Sequence, residues 1–184
     1  MFLAGIAVMS LDGCLTRHGE PGTGFASPAD HAFFRAALRT FDCSIAGRKT
    51  YEAGRESILR AREGSRLQMV LTTTPERFAA DAQVEHLEFK NASTFDVARE
   101  LGARGQKRCA LLGGASLYEE ACARDLLDEL WVTIEPAAFG TGARMFEGRV
   151  DFHFELADVQ RLASDTVLLK YRRRGAGSGA EPGV

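Results

Sequence analysis

Apolar residues along the chain fall in short runs, separated by polar stretches that carry glycine, proline or helix-capping residues. Residues 3–9 form one such run without helix caps and 43–46 a second, the pattern of strands covered on both faces. Between them, Ser27-Pro28-Ala29-Asp30 supplies an N-cap, a proline at the first helical position and an early acid. Phe33, Phe34, Ala37 and Leu38 then recur at helical spacing. Runs at 67–71 and 84–89 predict two more strands, and a helix starts near Ser93-Thr94 and closes around Gly105. Residues 109–112 read as a buried strand, after which Gly113-Gly114 turns the chain into a helix carrying Leu117, Tyr118, Ala121 and Leu126. Residues 128–136 are strand-like, and 152–162 with 166–172 predict a closing hairpin around Ala163-Ser164-Asp165. Strands alternating with helices imply an α/β layered domain, and the hairpin implies an antiparallel edge on a mostly parallel sheet.

A length of 184 residues fits one compact domain, expected over 1–174, with a flexible Gly-rich tail at 175–184. Hydrophobic residues at 45% and charged residues at 26% leave enough apolar surface to offset chain entropy. A formal net charge of -2 gives no general attraction to nucleic acid or to an anionic membrane, so any anion site must be local. Arg172, Arg173 and Arg174 form the one dense basic cluster and read as a solvated chain end. Cys14, Cys43, Cys109 and Cys122 make no C-x-x-C pair, and the four histidines make no i, i+4 pair, so no metal is expected. The opening run is too short and too soon interrupted for a membrane span, and a cytoplasmic protein is expected.

Two stretches carry chemistry. Ala46-Gly47-Arg48-Lys49-Thr50-Tyr51-Glu52 follows a buried strand and opens a helix, where unpaired N–H groups, the helix dipole and two cations favour an anion. A phosphate of charge near -2 on the adenosine ribose, the group that distinguishes NADPH from NADH, suits such a site; an ordinary surface turn with solvated cations is the alternative. Leu111-Leu112-Gly113-Gly114-Ala115-Ser116-Leu117-Tyr118 repeats the strand, glycine, helix order, and glycines let a phosphate approach the backbone. A dinucleotide lying across the carboxyl ends of neighbouring strands needs such a pair of sites.

Ser10-Leu11-Asp12-Gly13, Gly47-Arg48-Lys49-Thr50-Tyr51-Glu52, Gly113-Gly114-Ala115-Ser116-Leu117, Leu127-Asp128-Glu129-Leu130 with Pro136, and Gly140-Thr141-Gly142-Ala143-Arg144-Met145-Phe146 occur in one order. Together they resemble the RibD C-terminal reductase family of riboflavin biosynthesis, over roughly residues 1–172. The fold that resemblance implies is the dihydrofolate reductase-like three-layer α/β domain. It implies that Gly47, Arg48, Lys49 and Thr50 meet the adenosine phosphate of NADPH and that Gly113, Gly114, Ala115, Ser116 and Leu117 hold its pyrophosphate. Met9 and Ser10 would approach the nicotinamide, Phe25 would lie beside the cofactor and substrate, and Asp12-Gly13 would shape a turn.

On the substrate side, Asp30 resembles the acid that dihydrofolate reductases use to hold and protonate a pterin, and a carboxyl in an apolar cleft would have a raised pKa suited to that task. An acid in a first helical turn also simply complements the dipole. Arg39 falls where the riboflavin family places a substrate-contacting arginine, or serves the helix C-terminus. Leu112 and Cys14 depart from the riboflavin pattern, which carries an acid and a lysine there, and no zinc-deaminase signature precedes the domain. The expected activity is hydride transfer from NADPH to a C=N bond of a small heterocycle, as in 5-amino-6-(5-phosphoribosylamino)uracil reductase. Reduction of a pterin or another small molecule is the alternative within the superfamily, and a non-catalytic NADPH-binding dimeric protein the alternative outside it. A homodimer is expected from the resemblance and from the apolar stretch Leu130, Trp131, Val132 and Ile134.

Overall fold

The computed structural model describes residues 1–60, 66–148 and 151–174; the tail expected at 175–184 lies outside the described residues. In chain order the elements are β1 (Phe2–Ser10), α1 (Pro28–Leu38), β2 (Cys43–Gly47), α2 (Arg48–Arg60), β3 (Leu67–Leu71), a 3-10 turn (Pro75–Phe78) and β4 (Leu87–Lys90). Then follow α3 (Thr94–Ala103), β5 (Arg108–Leu111), α4 (Ala115–Ala123), β6 (Glu129–Glu135), β7 (Phe154–Arg161) and β8 (Val167–Arg173). They form one eight-stranded sheet in the order β4-β3-β2-β5-β1-β6-β8-β7. Strands β1 to β6 run parallel, and β8 pairs antiparallel to β6 and to β7. The α/β architecture with a closing antiparallel hairpin is the one its hydrophobic pattern predicts, and the three layers are those the family resemblance implies.

Alternation along the strands feeds two faces. Leu3 of β1, Cys43 and Ile45 of β2, Leu130 and Val132 of β6 pack with Val97 and Leu101 of α3 and Tyr118, Ala121 and Cys122 of α4. On the opposite face, Ala4, Ile6, Trp131 and Leu168 pack with Ala37 and Leu38 of α1, while Val70 and Leu87 meet Tyr51 of α2. Gly5 permits close contact on the first face, because a Cβ there would stand 2.9 Å from Leu130 Cδ1 and 3.2 Å from Tyr118 Cε1. The Tyr118 hydroxyl uses that approach to donate to the Ile6 carbonyl at 2.6 Å, tying α4 across β1.

Local signals explain the helix starts. The Ser27 hydroxyl accepts from Asp30 N at 3.2 Å with Pro28 inside the first turn, and the Ser93 hydroxyl accepts from Asp96 N at 3.0 Å. Two boundaries differ from expectation. Strand β4 begins at Leu87, not at residue 84, because pairing with β3 starts there and Gln83 N closes a turn onto the Leu87 carbonyl, leaving Val84 exposed. Leu126 lies beyond the end of α4, although it still packs against the first core.

The stretch Leu130, Trp131, Val132 and Ile134 is not a free surface. β8 pairs along it and its side chains are split between the two cores, so Leu130, Trp131 and Val132 are buried within the monomer. The basic cluster is exposed, as expected of a solvated chain end, and Arg172, Arg173 and Arg174 meet Glu129, Asp128 and Glu155 respectively. Among the described residues no helix is long and apolar enough to cross a membrane, and no group of His, Cys, Asp and Glu is arranged to hold a metal ion.

Candidate active site

Strand register opens a crevice at the carboxyl edge of the sheet. β5 ends at Leu111, opposite Gly5 of β1 and Ile45 of β2, whereas β1 continues to Ser10 and β2 to Gly47. The chain leaves β1 through α1 on one face and crosses back over it through α4 on the other. Such a reversal of direction leaves a ligand-sized crevice beyond the strand ends.

The two glycine-bearing stretches meet in that crevice. Gly47 N donates to the Gly113 carbonyl at 2.7 Å and Leu112 N to the Ile45 carbonyl at 2.9 Å. A Cβ on Gly47 would lie 3.2 Å from Gly114 N and 3.6 Å from Leu117 Cδ1. Gly113 has φ +94°, and a Cβ there would lie 3.3 Å from Tyr118 Cε2 and 3.6 Å from Thr50 Oγ1. Thus residues 47–50 and 113–117, distant in sequence, form one seam, in which Gly113 is buried and Gly47 and Gly114 are half-buried. Gly114 caps α4 with no side-chain hydrogen bond, and the N–H groups of a first helical turn have no partner inside the helix.

The first turn of α2 carries Arg48 and Lys49 and no acid, the reverse of what the helix dipole alone selects. Arg48 is engaged by Glu52 one turn on, at 2.6 Å, in a half-exposed pair of the kind worth only about 0.3–0.5 kcal/mol. Lys49 is exposed, and among the described residues no ion pair engages it. β3 adds Thr72, Thr73 and Thr74 beside this turn, since its last residue, Leu71, pairs with Gly47. That triple threonine after an apolar run was a readable sign of a hydroxyl-rich loop. Glycines, a helix start without a side-chain cap and a cationic helix start lie together here, groups that could hold the phosphates of a dinucleotide.

On the other side of the β1 end stands a buried acid. Asp30, 6% exposed, sits in the first turn of α1 and faces Thr133 and Glu135 of β6, where Glu135 pairs with Ser10. Burial pushes its carboxyl above the usual carboxylate range; the nearby Thr133 hydroxyl opposes that shift, the Glu135 carboxylate adds to it and His31 opposes it. Glu135 is itself buried, accepting from Ser27 N at 2.8 Å and from the Thr166 hydroxyl at 3.1 Å. The alternation of Trp131, Thr133 and Glu135 on one face of an otherwise apolar strand was the signal for both residues, and reading only the strand's apolar positions passed over it.

Over this edge lies a double loop. Asp12 accepts from Phe139 N at 3.1 Å and Gly140 N at 2.6 Å, and Arg144 Nη1 donates to the Asp12 carbonyl at 2.7 Å. The Ser10 hydroxyl and the Gly140 N–H hold the Asp12 carboxyl down to about 2. A Cβ on Gly142 would stand 2.1 Å from the Thr16 carbonyl, which accounts for the second glycine of Gly140-Thr141-Gly142. Phe25 packs edge-on against Phe139 at 4.9 Å between centroids, on the same loop pair.

The candidates therefore separate. Gly47 to Thr50 and Gly113 to Leu117 lie in one seam, and Met9, Ser10, Phe25 and Asp30 lie around the end of β1. Ser10 has its hydroxyl bound to Asp12 at 2.5 Å and to Cys14 N at 3.0 Å, so its side chain serves the turn. Arg39 is not brought to the others. It caps the far end of α1, about 13 Å from Asp30 at 1.5 Å per residue, at the amino edge of the sheet, where it is exposed.

Comparison with known proteins places this arrangement. The family model of the RibD C-terminal domain matches residues 4–168. No relative matches among the curated proteins. Among solved structures, a pyrimidine reductase-like protein from Corynebacterium diphtheriae superposes with a TM-score of 0.73 at 16% identity, covering 95% of this chain and 92% of that one. A diaminohydroxyphosphoribosylaminopyrimidine deaminase/5-amino-6-(5-phosphoribosylamino)uracil reductase from Thermotoga maritima gives 0.74 at 16% identity, over 94% of this chain and 56% of that one. RibD of Acinetobacter baumannii gives 0.72 at 16% identity, over 95% and 58%. At such identities the likeness is one of fold.

Proposed function

From the premise that this chain belongs to the RibD C-terminal domain family, we propose that it is an NADPH-dependent reductase that reduces a C=N bond of a small heterocyclic substrate. The reading closest to the family is an activity like that of 5-amino-6-(5-phosphoribosylamino)uracil reductase, within riboflavin biosynthesis. The observation that carries it is the seam between residues 47–50 and 113–117, closed by the Gly47 to Gly113 hydrogen bond, with a cationic helix start and an uncapped helix start side by side.

When bound, NADPH supplies the hydride. Arg48, Lys49 and Thr50 hold the adenosine phosphate, with the exposed Lys49 as the readily available charge and Arg48 recruited from Glu52. Gly113 and Gly114 let the pyrophosphate approach the backbone, and the start of α4 donates to it. Met9, half-buried at the end of β1, bounds the reacting end of the crevice, while Phe25 and Phe139 cover it and limit water. Asp30 carries the proton for the substrate nitrogen, a role suited to a buried carboxyl whose pKa is raised above its ordinary value.

One observation favours a second substrate class. The buried Asp30 beside the Thr133 hydroxyl is a donor and acceptor pair suited to a pterin, and Leu112 and Cys14 do not supply the polar substrate contacts of the riboflavin pattern. The deciding assay is oxidation of NADPH by the purified protein, followed by loss of nicotinamide absorbance, with the phosphoribosylaminouracil and with dihydropterins as substrates. Turnover with the uracil compound supports the first reading, and turnover with pterins alone the second. Saturable NADPH binding without turnover on either would replace both with a cofactor-binding protein. A homodimer and a cytoplasmic location complete the proposal. For the dimer, the support is the edge strand β7, exposed along its length, where a bulge between Leu156 and Asp158 brings the exposed Leu156 and Val159 to one face. Sedimentation showing only a 20.0 kDa species at micromolar concentration would refute it.

A further inference from the structure

Two buried carboxyl groups face one another where α1 meets the end of β6, and the reading above uses only one of them. Glu135 is 3% exposed and Asp30 6% exposed. Their surroundings differ. Glu135 accepts the backbone N–H of Ser27, the N-cap residue of α1, at 2.8 Å, and the hydroxyl of Thr166, at the start of β8, at 3.1 Å. An acceptor-only role of this kind suits a carboxylate. Asp30 belongs to the same helix start, with its backbone N–H on the Ser27 hydroxyl at 3.2 Å, and its carboxyl has the Thr133 hydroxyl as polar neighbour.

We propose that Glu135 is a positioning residue acting through Asp30: anchored by Ser27 and Thr166, it fixes the start of α1 and with it the place of the Asp30 carboxyl. The proposal rests on Asp30 being the proton carrier of the site. Geometry supplies the mechanism. The residue that Glu135 holds is the N-cap Ser27, whose hydroxyl accepts the backbone N–H of Asp30, so one carboxylate sets the position of the other through Ser27. It also supplies a fixed negative charge within a region where water screens poorly, and two carboxyl groups in such a place do not both ionise readily. The direction found for Asp30 agrees: burial raises its pKa, the Thr133 hydroxyl opposes this, Glu135 adds to it and His31 opposes it. His31 follows Asp30 on α1 and is exposed, so it is the screened member of these groups.

The first test is carbon NMR of the protein labelled at aspartate and glutamate carboxyls, titrated without cofactor. The expected result is an Asp30 titration midpoint above the usual carboxylate range; a midpoint within or below that range would overturn the proposal. The second test is Glu135→Gln, which keeps an acceptor for Ser27 N–H and removes the charge. Its Asp30 titration midpoint should fall by about one pH unit, and the alkaline limb of the pH profile for turnover should move down with it while NADPH affinity stays within twofold. Thr166→Val serves beside it, removing one anchor of Glu135 and moving the same midpoint in the same direction by less. An Asp30 midpoint unmoved in whichever of these variants folds would also overturn it. The NMR arms read charge alone, so they stay decisive if Asp30→Asn retains turnover, a result that would remove Asp30 from the chemistry and with it only the catalytic purpose of the pair.

Discussion

Replacing Gly113 with alanine tests the seam where it carries a positive φ. The backbone there has φ +94°, where an L-residue pays roughly 1–2 kcal/mol for the clash of its Cβ with the following carbonyl. The added methyl would also stand 3.3 Å from Tyr118 Cε2, 3.5 Å from its hydroxyl and 3.6 Å from Thr50 Oγ1. Only the first of these is tighter than ordinary contact. Tyr118 has little room to retreat, because its hydroxyl is held by the Ile6 carbonyl at 2.6 Å in a fully buried setting. Strain and crowding together come to about 2 kcal/mol, which for a chain of this size lowers Tm by roughly 4–8 °C. Gly105→Ala is the control: its φ is +85° but nothing lies within 4 Å of the new methyl, so it carries backbone strain without crowding the crevice. Thermal melts of both variants, paired with NADPH titrations, separate the effects. Gly113→Ala should bind NADPH about tenfold or more weakly, and Gly105→Ala should bind as the wild type does. If the two variants are equally destabilised and both bind NADPH normally, the seam at Gly113 is a structural turn and not part of a cofactor site.

Two further predictions follow from charges around the crevice. Lys49→Glu should weaken NADPH far more than NADH, since a charged contact to phosphate contributes roughly 1.5–3 kcal/mol; parallel titrations check this, and equal losses for the two cofactors would count against it. Asp30→Asn should lower turnover by roughly a hundredfold to ten-thousandfold with NADPH affinity preserved. Folding raises the Asp30 pKa above its ordinary value of 3.8, so wild-type stability is full below that value and declines as pH rises through the raised one. Asp30→Asn escapes that decline, and melts across pH should show the variant gaining on the wild type from about pH 4 upwards. A variant that is less stable at every pH, with turnover intact, would mean that Asp30 only complements the helix dipole.

Much of the fold was legible because its signals are local. Buried strands announce themselves as short apolar runs, Ser27-Pro28 and Ser93-Thr94 carry capping chemistry, and the glycines at 47, 113 and 114 mark the turns where backbones touch. What was hidden depends on register across the sheet. That β5 stops at Leu111 while β1 and β2 run on, that residues 47 and 113 bond to each other, and that Glu135 lies beside Asp30 are consequences of pairing distant segments. Arg39 shows the opposite failure. Family resemblance put it with Asp30 on the substrate side, but a straight helix carries it to the far edge of the sheet. The segment Leu130 to Ile134 misled for a related reason, since an apolar strand reads alike whether its cover is a second copy or its own β8.

Whether the seam between residues 47–50 and 113–117 holds a dinucleotide carrying a ribose phosphate is read most directly by equilibrium titration of the wild-type protein with NADPH and with NADH. Saturable, one-to-one binding of NADPH, about tenfold to a hundredfold tighter than that of NADH, is expected. Equal dissociation constants for the two, or no saturable binding of either, would contradict it.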